Sequence, residues 1–421
     1  MLARETQGTQ TAETSYAAVT DLAGEEAANE PTVVNFVNQV LAEAIRLNAT
    51  DIHFEPYEEK YRIRYRIDGM LEDVPVPASL YAFKLAVVSR IKIMACLDIT
   101  EKRLPQDGRA QVSMGNQKCD LRISILPGIH GEAIVIRIQN RQIVRLDLEA
   151  LGFGEAERGK IDQLASCPYG LILVTGPTGS GKTTTLYTCL LKIRAPQIKI
   201  ITIEDPVEYW MDGMLQMQMN QEVGFTFARA LRSMLRHDPD VMLVGEVRDG
   251  ETAEIAIRSA LTGHLVLSTL HTNDAASAVT RLCDIGIEPF LLASCLRGIV
   301  AQRLVRRVCP ECRIQIDPGT MDDFEIAALE AAGCGSGPTL WEARGCQACR
   351  FTGYQGRMVV AEIIGVTPSI RALIQAKAPA EQIKEQAIKD GMRTLRESAL
   401  QAALSGRTTL REVLRVTQED L

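Results

Sequence analysis

One eight-residue stretch constrains this chain more than any other: Gly176–Thr183, GPTGSGKT, directly after the apolar run LILVT and directly before TTLYTCLLKI. G-x-x-x-x-G-K-T between a buried strand and a helix is the form of a phosphate-binding loop. Gly176, Gly179 and Gly181 let the backbone curl until successive N–H groups point inward at phosphate oxygens. The helix that follows adds the partial positive charge of its N-terminus. In that arrangement Lys182 reaches the β- and γ-phosphates and Thr183 offers a hydroxyl to magnesium, with Pro177, Thr178 and Ser180 completing the cradle. The expected ligand is a nucleoside triphosphate, ATP with Mg2+.

Around the loop, apolar strand patterns at Gly170–Thr175, Ile198–Ile203, Val241–Gly245 and His264–Thr269 alternate with helical patterns at Lys182–Ile193, Thr226–His237, Glu251–Leu261 and Ala275–Ile285. That alternation is the signature of an α/β fold with a parallel sheet. Phe290–Val305 reads as one further helix. A chain of 421 residues is too long for one core, and residues 32–140 read as a separate small α+β domain. Val33–Leu47 and Tyr81–Cys96 have helical spacing there. Tyr61–Ile67, Cys119–Ile125 and Glu132–Gln139 read as strands. In YRIRYRI a period of two places Arg62, Arg64 and Arg66 on one face, and CDLRISI likewise exposes Asp120, Arg122 and Ser124.

The remaining segments follow from composition. Residues 1–31 are polar and acidic, and read as a disordered tail or the remnant of a linker. A polar linker covers 141–150, the phosphate-loop domain 151–308 and a cysteine-bearing arm 309–356. A C-terminal strand and helical subdomain occupies 357–421, with amphipathic patterns at Ser369–Ala376, Ala380–Lys389 and Thr394–Leu404. The net charge of -7 argues against a dedicated nucleic-acid binder. No apolar run approaches the roughly 20 residues that cross a bilayer, and the N-terminus lacks a signal-peptide core. A cytoplasmic chain is expected, and any membrane role is peripheral.

Seven of the eleven cysteines (Cys96, Cys119, Cys167, Cys189, Cys283, Cys295 and Cys334) are scattered and read as small core residues or free thiols. The other four form two C-x-x-C pairs, Cys309/Cys312 and Cys346/Cys349. Each pair can grip one ion, and the two together complete a tetrahedral four-thiolate zinc site. The stretch between the pairs is longer than the usual ribbon spacing, and a redox C-x-x-C is the rival reading.

Several longer segments carry a resemblance: DIHFEP (Asp51–Pro56), YRIRYRIDGML, KRLPQDGR (Lys102–Arg109), ITIEDPVEY (Ile201–Tyr209), VMLVGEVRDGETAEIA (Val241–Ala256), TGHLVLSTLHTNDA (Thr262–Ala275) and AQRLVRRVCPEC (Ala301–Cys312). From about Thr32 to the C-terminus the chain resembles the traffic ATPases of type II secretion and type IV pilus assembly. The resemblance implies a RecA-like P-loop ATPase domain behind a small PAS-like α+β domain, assembled as a homo-hexamer. It implies ATP hydrolysis coupled to pseudopilus assembly and protein export, against polytopic and bitopic proteins of the inner-membrane secretion platform. The alternative within the class is a pilus-extension or DNA-uptake motor. Retraction motors lack the tetracysteine arm that secretion and extension members carry.

The resemblance also implies roles. Glu204 positions or activates the attacking water, a task that a strand-end carboxylate can perform. Glu246 stands where most P-loop enzymes have an aspartate, and its longer side chain reaches the magnesium shell through water. His271 senses the γ-phosphate, whereas His264 reads as a structural histidine. Arg109 and Arg122 of the N-terminal domain are the preferred donors to a phosphate, because loose phosphoryl-transfer transition states gain from arginine supplied by a neighbour. Full-length secretion ATPases carry a further N-terminal docking domain, which this chain is expected to lack, as a truncated piece or a natural short form. Two other classes fit less well. A small-molecule kinase needs a lid and an acceptor pocket that nothing here resembles, and a nucleotide-gated scaffold has no use for Lys182, Glu204 and Glu246 together.

Overall fold

The computed structural model describes residues 20–22, 32–115, 117–140, 147–316 and 339–417, with the single positions 321, 326 and 329. Most of the expected tail, residues 141–146 of the expected linker, and Cys334 lie outside the described residues. The chain divides into two units, Met1–Gln142 and Ile143–Leu421.

The first unit is built on the alternation seen in the sequence. Its elements are β1 (Thr20–Asp21), α1 (Thr32–Arg46), β2 (Asp51–Pro56), β3 (Tyr61–Ile67), β4 (Met70–Val74), α2 (Lys84–Met94), β5 (Gln106–Met114), β6 (Gln117–Gly128) and β7 (Gly131–Asn140). They form one seven-stranded sheet in the order β1-β5-β6-β7-β2-β3-β4. Phe54, Ile63, Tyr65, Ile123 and Ile134 point to one face and pack against Val37, Leu41, Val87 and Ile91 of α1 and α2. The opposite face holds the polar partners of the alternation. There Arg62 pairs with Asp73 at 2.6 Å and Arg64 with Glu55 at 2.6 Å.

Two details differ from the sequence reading. Thr20–Asp21, inside the segment expected to be a tail, pairs in parallel with β5. Asp120, expected on an exposed face, is buried, because Gln111 of the unanticipated strand β5 lies beside it and donates to its carboxylate at 2.8 Å.

The second unit opens with α3 (Leu148–Leu151) and α4 (Glu155–Ala165), followed by β8 (Gly170–Thr175), α5 (Lys182–Ile193), β9 (Ile200–Glu204) and β10 (Leu215–Gln218). Next come α6 (Phe227–Met234), β11 (Val241–Val244), α7 (Gly250–Leu261), β12 (Leu265–Leu270), α8 (Ala276–Asp284), α9 (Pro289–Cys295) and β13 (Leu296–Val308). After β14 (Arg313–Ile316), β15 (Leu340–Ala343) and β16 (Tyr354–Gly365), the chain ends in α10 (Pro368–Gln375), α11 (Ala380–Lys389), α12 (Leu395–Leu404) and α13 (Leu410–Val416). α3 begins within the expected linker, 141–150, and ends at Leu151. The main sheet runs β10-β9-β11-β12-β8-β13-β16 and is parallel except for the edge strand β16. α6 to α9 cover one face and α4 and α5 the other. The α/β, RecA-like class with a helical C-terminus is thus realised.

The helix expected over Phe290–Val305 is corrected. Only Pro289–Cys295 is helical, with proline at its first turn, and Leu296–Val308 is a long strand between β8 and β16. An apolar run rich in β-branched residues cannot be told from a buried helix by periodicity alone. The sheet decides it by pairing both sides of the strand. Gly298 permits the close approach: a Cβ there would stand 2.5 Å from the Leu164 side chain.

An ion cluster ties β13 to the last helix. Glu412, fully buried, accepts from Arg306 at 2.8 Å and from Arg415 at 2.7 Å. Burial opposes its charge, but the two guanidinium groups hold its carboxyl down at about 2, below the ordinary 4.5. A depressed carboxyl adds stability above its unfolded value and loses it as pH falls through its folded value. Glu412→Gln should therefore lower unfolding free energy by about 3 kcal/mol at neutral pH, as expected when one partner of a buried pair is removed. Urea titrations should show this difference shrinking as pH falls from about 4.5 towards about 2. A constant difference across that window would exclude the ion cluster as its source.

Candidate active site

The C-terminal ends of parallel strands, where loops diverge and helices begin, are the usual place for a nucleotide in such a sheet. Here Thr175 ends β8 and the phosphate loop follows, leading into α5. Gly176, Gly179 and Gly181 all have positive φ, at 144°, 79° and 86°. At Gly176 only glycine fits, since a Cβ would lie 2.5 Å from the Gln302 carbonyl and 2.6 Å from Ser180 Oγ. Gly179 borders open space. α5 starts without a side-chain cap, so its first amides stay available to an anion. Ser180 Oγ and Thr175 Oγ1 are buried with no partner among the described residues. The loop is an open cradle of donors.

Lys182 folds back over the loop, donating from Nζ to the carbonyls of Gly176 at 2.8 Å and Pro177 at 3.0 Å. Burial pulls its ammonium down to about 8, against the field of Glu246. Thr183 lies beside it, half-buried in the first turn of α5. Glu246 follows β11, and its carboxylate meets Arg248 at 2.5 Å and His271 Nε2 at 3.5 Å. His271 follows β12, the strand between β8 and β11. Burial and the neighbouring Lys182 lower its pKa, which favours the neutral imidazole. The fold thus gathers Lys182, Glu246 and His271, distant in sequence, at one end of the sheet. His264, at the other end, turns Nδ1 to the Ser259 carbonyl at 3.0 Å, a local structural contact.

Glu204 ends β9, on the far side of β11 from the loop. Its carboxylate points to the α5 face of the sheet and is buried. Tyr187 Oη donates to both oxygens at 2.7 Å, and Thr202 Oγ1 to one at 2.7 Å. Gln216 in turn donates to the Tyr187 oxygen at 2.9 Å. Burial raises the Glu204 pKa, opposed by the two hydroxyl bonds. The hydrogen bonds of the Glu204 carboxylate go to Tyr187 and Thr202, which hold it next to the loop's own helix, and not to Lys182, Glu246 or His271.

Three residues at this end of the sheet escaped the sequence reading. Gln302 of β13 is fully buried, donates from Nε2 to the Ser180 carbonyl at 2.7 Å and accepts from Thr185 Oγ1 at 2.9 Å. It fixes the underside of the loop. Arg248 covers Glu246, and Arg303 reaches Asn273 at 3.3 Å. All three lie inside the long segments VMLVGEVRD and AQRLVRRV, but nothing in their spacing marks them.

In the first unit, Arg109 and Arg122 are direct partners across β5 and β6, and Arg122 faces Arg137 across β7. The row continues to Asp51 and Arg66. Asp51 accepts from Arg137 at 3.1 Å. A hollow of about 480 Å³ opens over Asp51, Asp107, Arg109, Arg122 and Arg137. Arg137 belongs with the two arginines chosen from the sequence and was missed because GEAIVIRIQN reads simply as a strand.

The two cysteine pairs converge. Cys309 and Cys346 sulfurs lie 3.9 Å apart, Cys312 and Cys349 3.8 Å, and Cys346 and Cys349 3.8 Å. All four sulfurs fall within 4.8 Å of one another. Bonds of about 2.3 Å to a tetrahedral metal place sulfurs roughly 3.8 Å apart. The N–H groups of Cys346 and Gly353 point at Cys349 Sγ at 3.1 and 3.2 Å, and that of Gly345 at Cys312 Sγ at 3.3 Å. The donor set and its amide shell fit a four-sulfur metal site and leave a two-cysteine redox reading without support.

Comparison with known proteins agrees with this geometry. The family model described as Type II/IV secretion system protein matches residues 26–415. The type II secretion system protein HxcR of Pseudomonas aeruginosa is 48% identical over 387 residues, covering 92% of this chain and 78% of that protein. Type II secretion system protein E of Dickeya dadantii is 47% identical over 392 residues, covering 93% and 77%. Among solved structures, the pilus retraction motor PilT with bound ADP aligns over 91% of this chain and 98% of its own, with a TM-score of 0.57 and 27% identity. The Legionella pneumophila ATPase DotB shares the fold at a TM-score of 0.65 and 18% identity, over 96% and 100%. With the match running through both units and nearly half of the residues shared along more than nine-tenths of its length, the chain belongs to the type II/IV secretion system protein family.

Proposed function

We propose that this chain is a magnesium-dependent ATPase that drives pseudopilus assembly for protein export by the type II route. The observation that carries this is the convergence of Lys182, Glu246 and His271 on one phosphate loop, in a family of secretion ATPases. Relatives bearing type II secretion names are 47–48% identical to it, which favours secretion over pilus extension or DNA uptake. In this reading the loop amides and Lys182 hold the phosphates. Thr183 and Glu246 hold magnesium, which supplies charge neutralisation at the transferring phosphoryl group. Glu204 accepts the proton of the attacking water once its carboxylate leaves Tyr187. His271, bonded to Glu246, reads the presence of the γ-phosphate.

The working form is a homo-hexamer on the cytoplasmic side of the inner membrane, peripheral to it and acting on the platform proteins there. Among the described residues no helix is long and apolar enough to cross a membrane. The arginine row of Arg109, Arg122 and Arg137 supplies positive charge to a neighbouring subunit's phosphates. Phosphate release measured with magnesium and with a chelator tests the enzyme. Deleting the gene in its own bacterium tests the route: loss of exported proteins supports it, and loss of surface pili with normal export sinks it.

Zinc is the metal proposed for Cys309, Cys312, Cys346 and Cys349, which would hold it in a purely structural role. Elemental analysis of protein purified under reducing conditions should find about one zinc per chain, the stoichiometry of a single four-cysteine site. Cys349→Ala should lose the metal and make the arm protease-sensitive. Metal-free protein with a resistant arm would retire the assignment.

A further inference from the structure

Glu362 lies on β16, opposite Ala301 of β13, and is 1% exposed. Its two oxygens reach in two directions. One accepts the Ala275 N–H at 2.6 Å, and the other accepts the Leu395 N–H at 3.1 Å. Ala275 directly follows His271–Asp274 and caps the start of α8. Leu395 is the first residue of α12. One buried carboxylate therefore stands against the N-termini of two helices, where partial positive charge favours an anion. An aliphatic side chain would fill the same space without the cost of burying a charge. The carboxylate has a task that packing does not explain.

That task lies on the loop it touches. His271–Asp274 carries the imidazole facing Glu246 and the Asn273 oxygen that meets Arg303. Within the loop, Asp274 bonds forward to the Ser277 N–H and hydroxyl, and Thr272 bonds to the Asp274 carbonyl. These contacts shape the turn and tie it to α8, and Arg303 of β13 adds a single bond to Asn273 at 3.3 Å. Glu362 ties it to the β13–β16 pair, one residue from Gln302, which holds the phosphate loop. Without Glu362, the N–H of fully buried Ala275 loses its partner.

We propose that Glu362 is a positioning residue for ATP hydrolysis: it sets the 271–275 loop against the phosphate loop and couples that setting to the start of α12. The proposal rests on His271 as the γ-phosphate sensor. It assigns Glu362 no contact with nucleotide. Loss of Glu362 lets the sensor loop drift while the cradle of amides and Lys182 persists, so kcat falls and ATP binding does not.

The test is steady-state ATP hydrolysis by the full chain as E362A, E362Q, H271A and the E362A/H271A pair, with active sites counted by a fluorescent ATP analogue. E362A should lose about ten- to a hundredfold in kcat, the effect of a small displacement transmitted from outside the chemistry. Its KM for ATP should change by less than about threefold, because binding shared by ground and transition states is untouched. E362Q keeps the volume and one acceptor oxygen, and should fall between E362A and the parent. On the H271A background, E362A should add little, as expected for residues acting through one element. A purely structural role would reduce the number of binding sites while leaving kcat per site unchanged, and its effect would add to that of H271A; either result overturns the proposal. If E362A does not fold, E362Q carries the same kcat test. Full turnover by H271A would sink the sensor reading, whereas impaired H271A beside normal E362A and E362Q would sink only the role of Glu362.

Discussion

Glu204→Gln should leave nucleotide binding intact and slow ATP turnover by about 10²–10⁴-fold, the range for removing a positioned general base. The exchange keeps the shape of the side chain and an oxygen able to accept from Tyr187 and Thr202, which hold the carboxylate at 2.7 Å. It removes only the ability to take a proton. Burial raises the Glu204 pKa above the ordinary carboxylate value, which strengthens it as a base once it is ionised. Single-turnover hydrolysis, with affinity for a fluorescent ATP analogue measured alongside, separates the two quantities. Full turnover by the variant would remove Glu204 from the chemistry and turn attention to Glu246.

The second large effect concerns the arginine row. Arg122→Ala should lower turnover by about 10³-fold, the lower end of what an arginine supplied from a neighbour contributes to phosphoryl transfer. Lys182→Ala should be comparably inactive for a different reason, because it strips the phosphate loop of its cation. Mixing the two inactive variants distinguishes supply in cis from supply in trans. Mixed assemblies contain sites where an intact loop meets an intact arginine of the neighbour, so activity should return. For the same reason, specific activity of the parent should rise with protein concentration. Mixed assemblies that form but stay inactive would rule out supply in trans.

How much of this was legible beforehand depends on whether a signal is local. Tyr61–Ile67 is a strand with the bounds that its alternation predicts, and Lys182–Ile193 is a helix with the bounds that its apolar spacing predicts. The phosphate loop could be read because strand, glycines and helix are consecutive. Leu296–Val308 could not, because its strand state comes from pairing with β8 and β16, which lie far along the chain. Gln302 and Glu362 were invisible for a related reason. Each is a buried polar residue whose partners, such as Ser180 and Ala275, are 122 and 87 positions away, and periodicity carries no information at that range. Glu204 falls between these cases. Its motif pointed to a base, but its burial behind Tyr187 came only from the packing of α5 on the sheet.

Val308 and Tyr354 face each other across β13 and β16, and the Cys309 N–H reaches the Gly353 carbonyl at 2.9 Å. Residues 309–353 are thus a detour whose two ends meet, stapled at its mouth by the cysteines. The arm also packs on the rest of its unit: Leu340 sits among Val305, Met358 and Leu400, and Arg313 donates to the Gly406 carbonyl at 2.7 Å. Because the two ends meet in register, the segment between the cysteine pairs can change in length without shifting the pairing of β13 with β16.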